Sequence, residues 1–81
     1  MTQETLEARA QRIRDGLIAG GLPVGRVTRY AMGQGLTLWC GNQTLVMLRG
    51  AEPALLQGNG DLADTRARLA ALGEPIGEPP A

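Results

Sequence analysis

Residues 36–49 read Leu36-Thr37-Leu38-Trp39-Cys40-Gly41-Asn42-Gln43-Thr44-Leu45-Val46-Met47-Leu48-Arg49, two β-favouring runs around a Gly-Asn-Gln break. Short breaks of this kind signal a hairpin, because Gly and Asn accept the positive φ that tight turns require. Working back, residues 24–32 carry Val27, Thr28 and Tyr30 and reach the first run through Gly33-Gln34-Gly35. The spacing predicts a meander of three antiparallel strands, 24–32, 36–40 and 44–49. Side chains alternate across a strand, so Leu36, Leu38 and Cys40 share one face and Thr37 and Trp39 the other.

Helical periodicity flanks this meander on both sides. Leu6, Ala10, Ile13 and Leu17 recur at steps of four, three and four, which places one apolar stripe on a helix over 3–19. Thr2 is the expected N-cap, Glu4 lies where the helix dipole favours an anion, and Gly20-Gly21 with Pro23 ends the helix. A second helix over 61–72 has Asp61 as N-cap and Asp64 at capping-box spacing. Its stripe is Leu62, Thr65, Leu69 and Leu72, and Gly73 stops it. Residues 50–60 read as a connection in which Pro53 opens one helical turn that packs Leu55 and Leu56. The tail 74–81 holds Pro75, Pro79 and Pro80 and too little apolar area to stay ordered. The expectation is one α+β domain over 1–73, a two-layer α-β-β-β-α sandwich with both helices on one face of the sheet, followed by a flexible Pro/Gly-rich tail.

Composition narrows the chemistry. The chain has 81 residues, no histidine, one cysteine, and eight arginines with no lysine against eight acids. Imidazole is the usual proton shuttle near neutral pH and the commonest metal ligand, so histidine triads and two-histidine zinc motifs are excluded. Cys40 sits among apolar strand neighbours, which suits a small buried hydrophobe better than a nucleophile, since a reactive thiol needs exposure and a nearby cation. The glycines around Gln34 lie between two strands and lack the strand-loop-helix setting of a phosphate cradle. Asn59, Asp61 and Asp64 lack the twelve-residue calcium pattern and read as helix capping. The expectation is a protein that is not an enzyme and takes no cofactor or metal. No apolar run reaches the roughly 20 residues of a bilayer span. With no export signal and a free thiol, the expected location is the cytoplasm, with no membrane partner.

Zero net charge conceals an asymmetry. Up to Arg49 there are six arginines against three acids, a net of +3; beyond it two arginines face five acids, a net of −3. Folding can cancel this by packing the halves together, or leave it as an interaction surface. Two surfaces are candidates for partner binding. The first is the second face of the sheet, where Trp39 and Thr37 would be joined by Tyr30, Met47 and Arg49, with Arg26 near the edge. Trp, Tyr, Met and Arg are enriched in interfaces, although in so small a chain they could equally fill out the core. Homodimerisation through that face would satisfy both readings. The second candidate is acidic: Glu52, Asp61 and Asp64, which could meet a basic surface on a protein partner, and which, with Glu74, a chain that imitates DNA would present to a nucleic-acid channel.

The order α-β-β-β-α resembles the double-stranded RNA-binding domain in layout over residues 3–72. That family grips phosphate with a lysine-rich start to its second helix and a Gly-Pro-x-His loop. Here the helix begins Asp61-Leu62-Ala63-Asp64, so carboxylates stand where phosphates would dock, and direct nucleic-acid binding is not expected. In size, missing catalytic groups and helix-meander-helix layout, the chain resembles the small phage and prophage inhibitors of bacterial defences of the anti-CRISPR type. That resemblance implies stoichiometric blocking of a multisubunit nucleic-acid-binding complex by occupying its nucleic-acid surface. It carries no motif and assigns no site residue. The competing readings are a phage structural or assembly protein and a small nucleic-acid-binding module with the layout of the double-stranded RNA-binding domain.

Overall fold

The computed structural model describes residues 4–77 and shows a small α+β fold, with helices α1 (Leu6–Ala19) and α2 (Leu62–Ala71) and an antiparallel sheet of four strands. The strands are β1 (Val24–Tyr30), β2 (Gly35–Cys40), β3 (Thr44–Leu48) and β4 (Leu55–Gly58), and they lie side by side in chain order. Both helices cover one face. Ile13 and Leu17 from α1 and Leu69 from α2 pack onto Leu36, Leu38, Cys40, Val46, Leu48 and Leu56 of the sheet.

The fourth strand corrects the expected three-stranded meander. Leu55 and Leu56 do not pack as a helical turn; Leu56 pairs with Val46 and Leu55 with Met47. Without this pairing, β3 would leave its backbone N–H and C=O groups unpaired along an edge. The pairing buries Leu56 in the core and turns Leu55 to the opposite face. The stretch from Glu74 to Gly77 also departs from the expected fraying tail. Pro75 C=O accepts from Ala54 N–H at 2.9 Å, Gly77 N–H donates to Ala54 C=O at 2.8 Å, and Ile76 bridges Ala54 in parallel. Glu74 is buried. Tail residues 78–81 lie outside the described residues, as does Thr2.

Helix α1 begins at Thr5, whose side-chain oxygen accepts from Ala8 N–H at 3.0 Å. In α2, Asp61 caps as expected, accepting from Asp64 N–H at 3.0 Å, while Asp64 turns to Arg68 at 2.8 Å. Of the expected α2 stripe, Thr65 and Leu69 are fully buried and Leu72 half-buried, but Leu62 is exposed because it lies in the first turn, beyond the end of β4.

Charge asymmetry is partly cancelled inside the fold. Arg9 projects from α1 into the wall formed by the β3–β4 connection and the Glu74 segment. Its Nε donates to Glu74 Oε1 at 2.8 Å, and its Nη1 donates to Gly50 C=O and Glu52 C=O, each at 2.8 Å. Arg12 donates to the other carboxylate oxygen of Glu74 at 2.6 Å and to Glu4 at 2.9 Å. This buried junction ties the front of the chain to its end.

The β1–β2 turn falls earlier than the sequence suggests. Strand β1 stops at Tyr30, and Ala31 (φ 53°), Met32 (φ 57°) and Gly33 (φ 87°) all occupy the left-handed region, closed by Gln34 N–H donating to Ala31 C=O at 3.1 Å. A left-handed conformation costs an ordinary L-residue roughly 1–2 kcal/mol, and Asn bears it more easily than Met. Met32→Asn is therefore expected to raise stability by about 1 kcal/mol, read as a higher urea midpoint at unchanged slope. No change, or a loss, would show that the turn carries no such strain.

Candidate interaction face

A register slip decides which side chains share the uncovered face of the sheet. Val24 pairs with Cys40, but Arg26 pairs with Trp39, so Gly25 is an extra residue in β1. Simple alternation from buried Val24 would turn Arg26, Thr28 and Tyr30 towards the helices. A one-residue bulge reverses every later side chain, and these three turn outward while Val27 and Arg29 turn in.

The outward residues then form rows across the sheet. Arg26, Trp39, Leu45 and Gln57 make one row; Thr28, Thr37, Met47 and Leu55 make the next. Tyr30 and Gly35 begin a third, towards Arg49. Neither helix covers this side. Trp39, Tyr30, Leu45 and Met47 are half-buried, Leu55 and both arginines are exposed, and Thr37, at the centre, and Gly35, under the Tyr30 ring, are buried by their neighbours.

Local contacts hold the aromatic groups in place. Trp39 Nε1 donates to Thr28 Oγ1 at 2.8 Å, and the Arg26 guanidinium lies over the Trp39 ring, 4.4 Å from its centroid. Tyr30 lies across Gly35 so that its hydroxyl donates to Leu48 C=O on β3 at 3.1 Å. A Cβ at position 35 would enter that ring, so the ring's path requires glycine. Arg49 Nη2 donates to Gln34 Oε1 at 3.3 Å. The face is thus a fixed surface of aromatic and aliphatic groups with a guanidinium near each of two opposite corners.

Four of the sequence candidates, Tyr30, Trp39, Met47 and Arg49, come together here. The acidic three do not. Glu52 precedes β4 and Asp61 follows it, so a strand of roughly 13 Å separates them. Asp61 caps α2 and Asp64 is paired with Arg68. Leu45 and Leu55 belong to the open face and were missed. Leu45 was legible from its alternation with Val46; Leu55 was not, because β4 itself was hidden.

Elsewhere, a groove of about 250 Å³ lies between α1 and β1, lined by Ala10, Val27 and Leu36 with the Glu7–Arg29 pair (3.3 Å) among its walls. No thiol or hydroxyl side chain is among its lining residues. Cys40 is buried, and burial pushes its thiol above the usual value, which keeps it protonated near neutral pH. Among the described residues, no three His, Cys, Asp or Glu side chains cluster as a metal site, and no helix is long and apolar enough to cross a membrane. Compared with known protein families, with curated proteins and with solved structures, the chain matches none of them.

Proposed function

We propose that this protein is a binding module without turnover, which docks a protein partner on the open face of its sheet. The observation that supports the reading is the convergence of Trp39, Tyr30, Met47, Leu45 and Leu55 with Arg26 and Arg49 on a face that neither helix covers. Central aromatic and arginine anchors with surrounding aliphatic groups are the composition of an interface core. A buried Cys40 and a sequence without histidine favour binding over turnover. Inhibition of a multisubunit bacterial defence complex remains the proposed biological role, on the strength of the resemblance in size and layout. Mimicry of nucleic acid by Glu52, Asp61, Asp64 and Glu74 has no such support, because β4 separates Glu52 from Asp61, Asp64 is paired with Arg68, and Glu74 is buried against Arg9 and Arg12.

The test is capture of partners from bacterial lysate by the intact chain and by Trp39→Ala. Loss of a central aromatic anchor is expected to weaken a captured partner by at least about 2 kcal/mol, roughly thirtyfold. Because Trp39 is only half-buried, its loss should destabilise the fold by less than the 3–5 kcal/mol typical of a core tryptophan. A folded Trp39→Ala protein that binds its partner with unchanged affinity removes this face from consideration. Time-dependent covalent change of a partner at substoichiometric protein would overturn the reading of a module without turnover.

A further inference from the structure

The charges on the open face point to the partner's chemistry. Arg9, Arg12, Arg14, Arg29 and Arg68 each have a carboxylate within 4 Å. Arg26 and Arg49 have none among the described residues: one stacks on Trp39, the other reaches only Gln34. Both stand on the open face, and no carboxylate belongs to its rows. From this, and resting on the docking reading above, we propose that the face receives an acidic amphipathic helix of a partner protein, its apolar stripe on Trp39, Met47, Leu45 and Leu55 and its carboxylates on Arg26 and Arg49.

Dimensions support a helix over a second copy of the chain. Four strands about 4.8 Å apart, with three rows of outward residues about 6.8 Å apart, give a face of roughly 20 by 15 Å, near 300 Å². A stable association between globular surfaces takes about 800 Å² per partner. One helix, about 10–12 Å across, fills this face and completes a three-layer sandwich. Self-association would instead bring four guanidiniums together and supply no carboxylate, a costly desolvation. The strand edges offer less. Ile76 already bridges Ala54 beside β4, and the Gly25 bulge interrupts β1.

Nucleic acid fits less well. Two cations are few where phosphate binding uses a stripe of them, and the Trp39 ring that could stack a base already carries Arg26. The strand spacing puts the backbones of Arg26 and Arg49 roughly 17 Å apart along a diagonal. That span matches about eleven residues of helix, three turns, which returns to the same side. The partner helix therefore carries its two decisive carboxylates about three turns apart.

A display library of 18-residue helix-forming peptides tests this, with a fixed Leu/Ala stripe and Glu, Lys, Gln or Ser allowed at the flanking positions, selected on the full chain. Enriched peptides should carry acids three turns apart and lose at least tenfold in affinity on Arg26→Glu or Arg49→Glu protein. Lys replacing Glu in the peptide should restore binding to those reversed proteins, which circular dichroism should show folded because both sites are exposed. Enriched peptides without acids that are still lost on Met47→Asp protein overturn the acidic partner and leave docking at this face standing. Peptides indifferent to Met47→Asp overturn both, and failure to enrich any helix overturns the helical partner. A concentration-dependent dimer abolished by Met47→Asp assigns the face to a second copy. Salt-sensitive binding of a labelled single-stranded oligonucleotide, lost in Arg26→Glu, assigns it to nucleic acid.

Discussion

Glu74→Ala is expected to cost about 3–5 kcal/mol, the range seen when one partner of a buried ion pair is removed. For a domain of this size, with stability on the order of 4–12 kcal/mol, that brings much of the population to the edge of unfolding. The cause is the arginine left behind. Arg9 and Glu74 are 6% and 8% exposed, and among the described residues Glu74 is the carboxylate in contact with a guanidinium sunk between α1 and the β3–β4 connection. Replacing both groups, Arg9→Met with Glu74→Leu, should recover most of the loss, since an apolar pair of similar volume often serves as well as a buried ion pair. The carbonyls of Gly50 and Glu52 that Arg9 now bonds belong to exposed residues and can turn to water.

The same junction makes stability fall in acid. Burial pushes the Glu74 carboxyl up, but hydrogen bonds and charge from Arg9 and Arg12 outweigh it and hold the group below its ordinary value. A carboxyl depressed on folding stabilises fully above the ordinary glutamate value, about 4.3, and loses that contribution as pH falls through its lower folded value. Urea midpoints measured from pH 7 to pH 2.5 should drop steeply below about pH 4 in the wild type and less steeply in Glu74→Gln. Glu74→Ala within about 1 kcal/mol of wild type, or equal acid slopes for the two proteins, would show that the junction contributes nothing of this kind.

The second large effect separates the two faces of the sheet. Leu38 is fully buried under α1, and Leu38→Ala is expected to cost about 2–5 kcal/mol through lost transfer energy and the cavity left behind. Met47→Ala and Leu55→Ser lie on the other face, where Leu55 is 40% exposed. They should cost under about 1 kcal/mol each, close to ordinary surface changes, while weakening partner binding. Denaturant titration of the three proteins, with sedimentation of each, reads the contrast directly. Equal losses at Leu38, Met47 and Leu55 would mean that the outer face is core covered by something in solution, and the docking reading would fail.

The helices and the middle of the sheet were legible because their signals are local. The spacing Leu6, Ala10, Ile13, Leu17 fixes which side of α1 is buried, and three of these four side chains are fully packed. Leu36, Leu38 and Cys40 alternate with Thr37 and Trp39, so a single strand announces both of its faces. Asp61 marks the start of α2 by its side-chain cap on Asp64 N–H, and Gly73 marks the end through a φ of 78° that glycine adopts more readily than other residues. Strand β4 was hidden for a different reason. Four residues, two of them adjacent leucines after a proline, carry no period that distinguishes strand from helix. Their conformation is set by the free edge of β3.

For the interaction face, the sequence by itself determined the residue types, Trp39, Tyr30, Met47 and Arg49 on β-favouring runs, and the absence of histidine chemistry around them. Only the tertiary structure decided that they share one side. An unbroken β1 would have turned Arg26, Thr28 and Tyr30 towards the helices, and the bulge at Gly25 reverses them. Tertiary packing also decided the fate of the charges. Glu74, from the stretch least able to fold on its own, is held because its carboxylate pairs with the buried Arg9, whereas Glu52 is kept apart from Asp61 and Asp64 by the length of β4. Periodicity and capping act over a few residues and are written in the chain; register and ion pairing act between segments distant in sequence, and are settled when those segments compete for the same buried space.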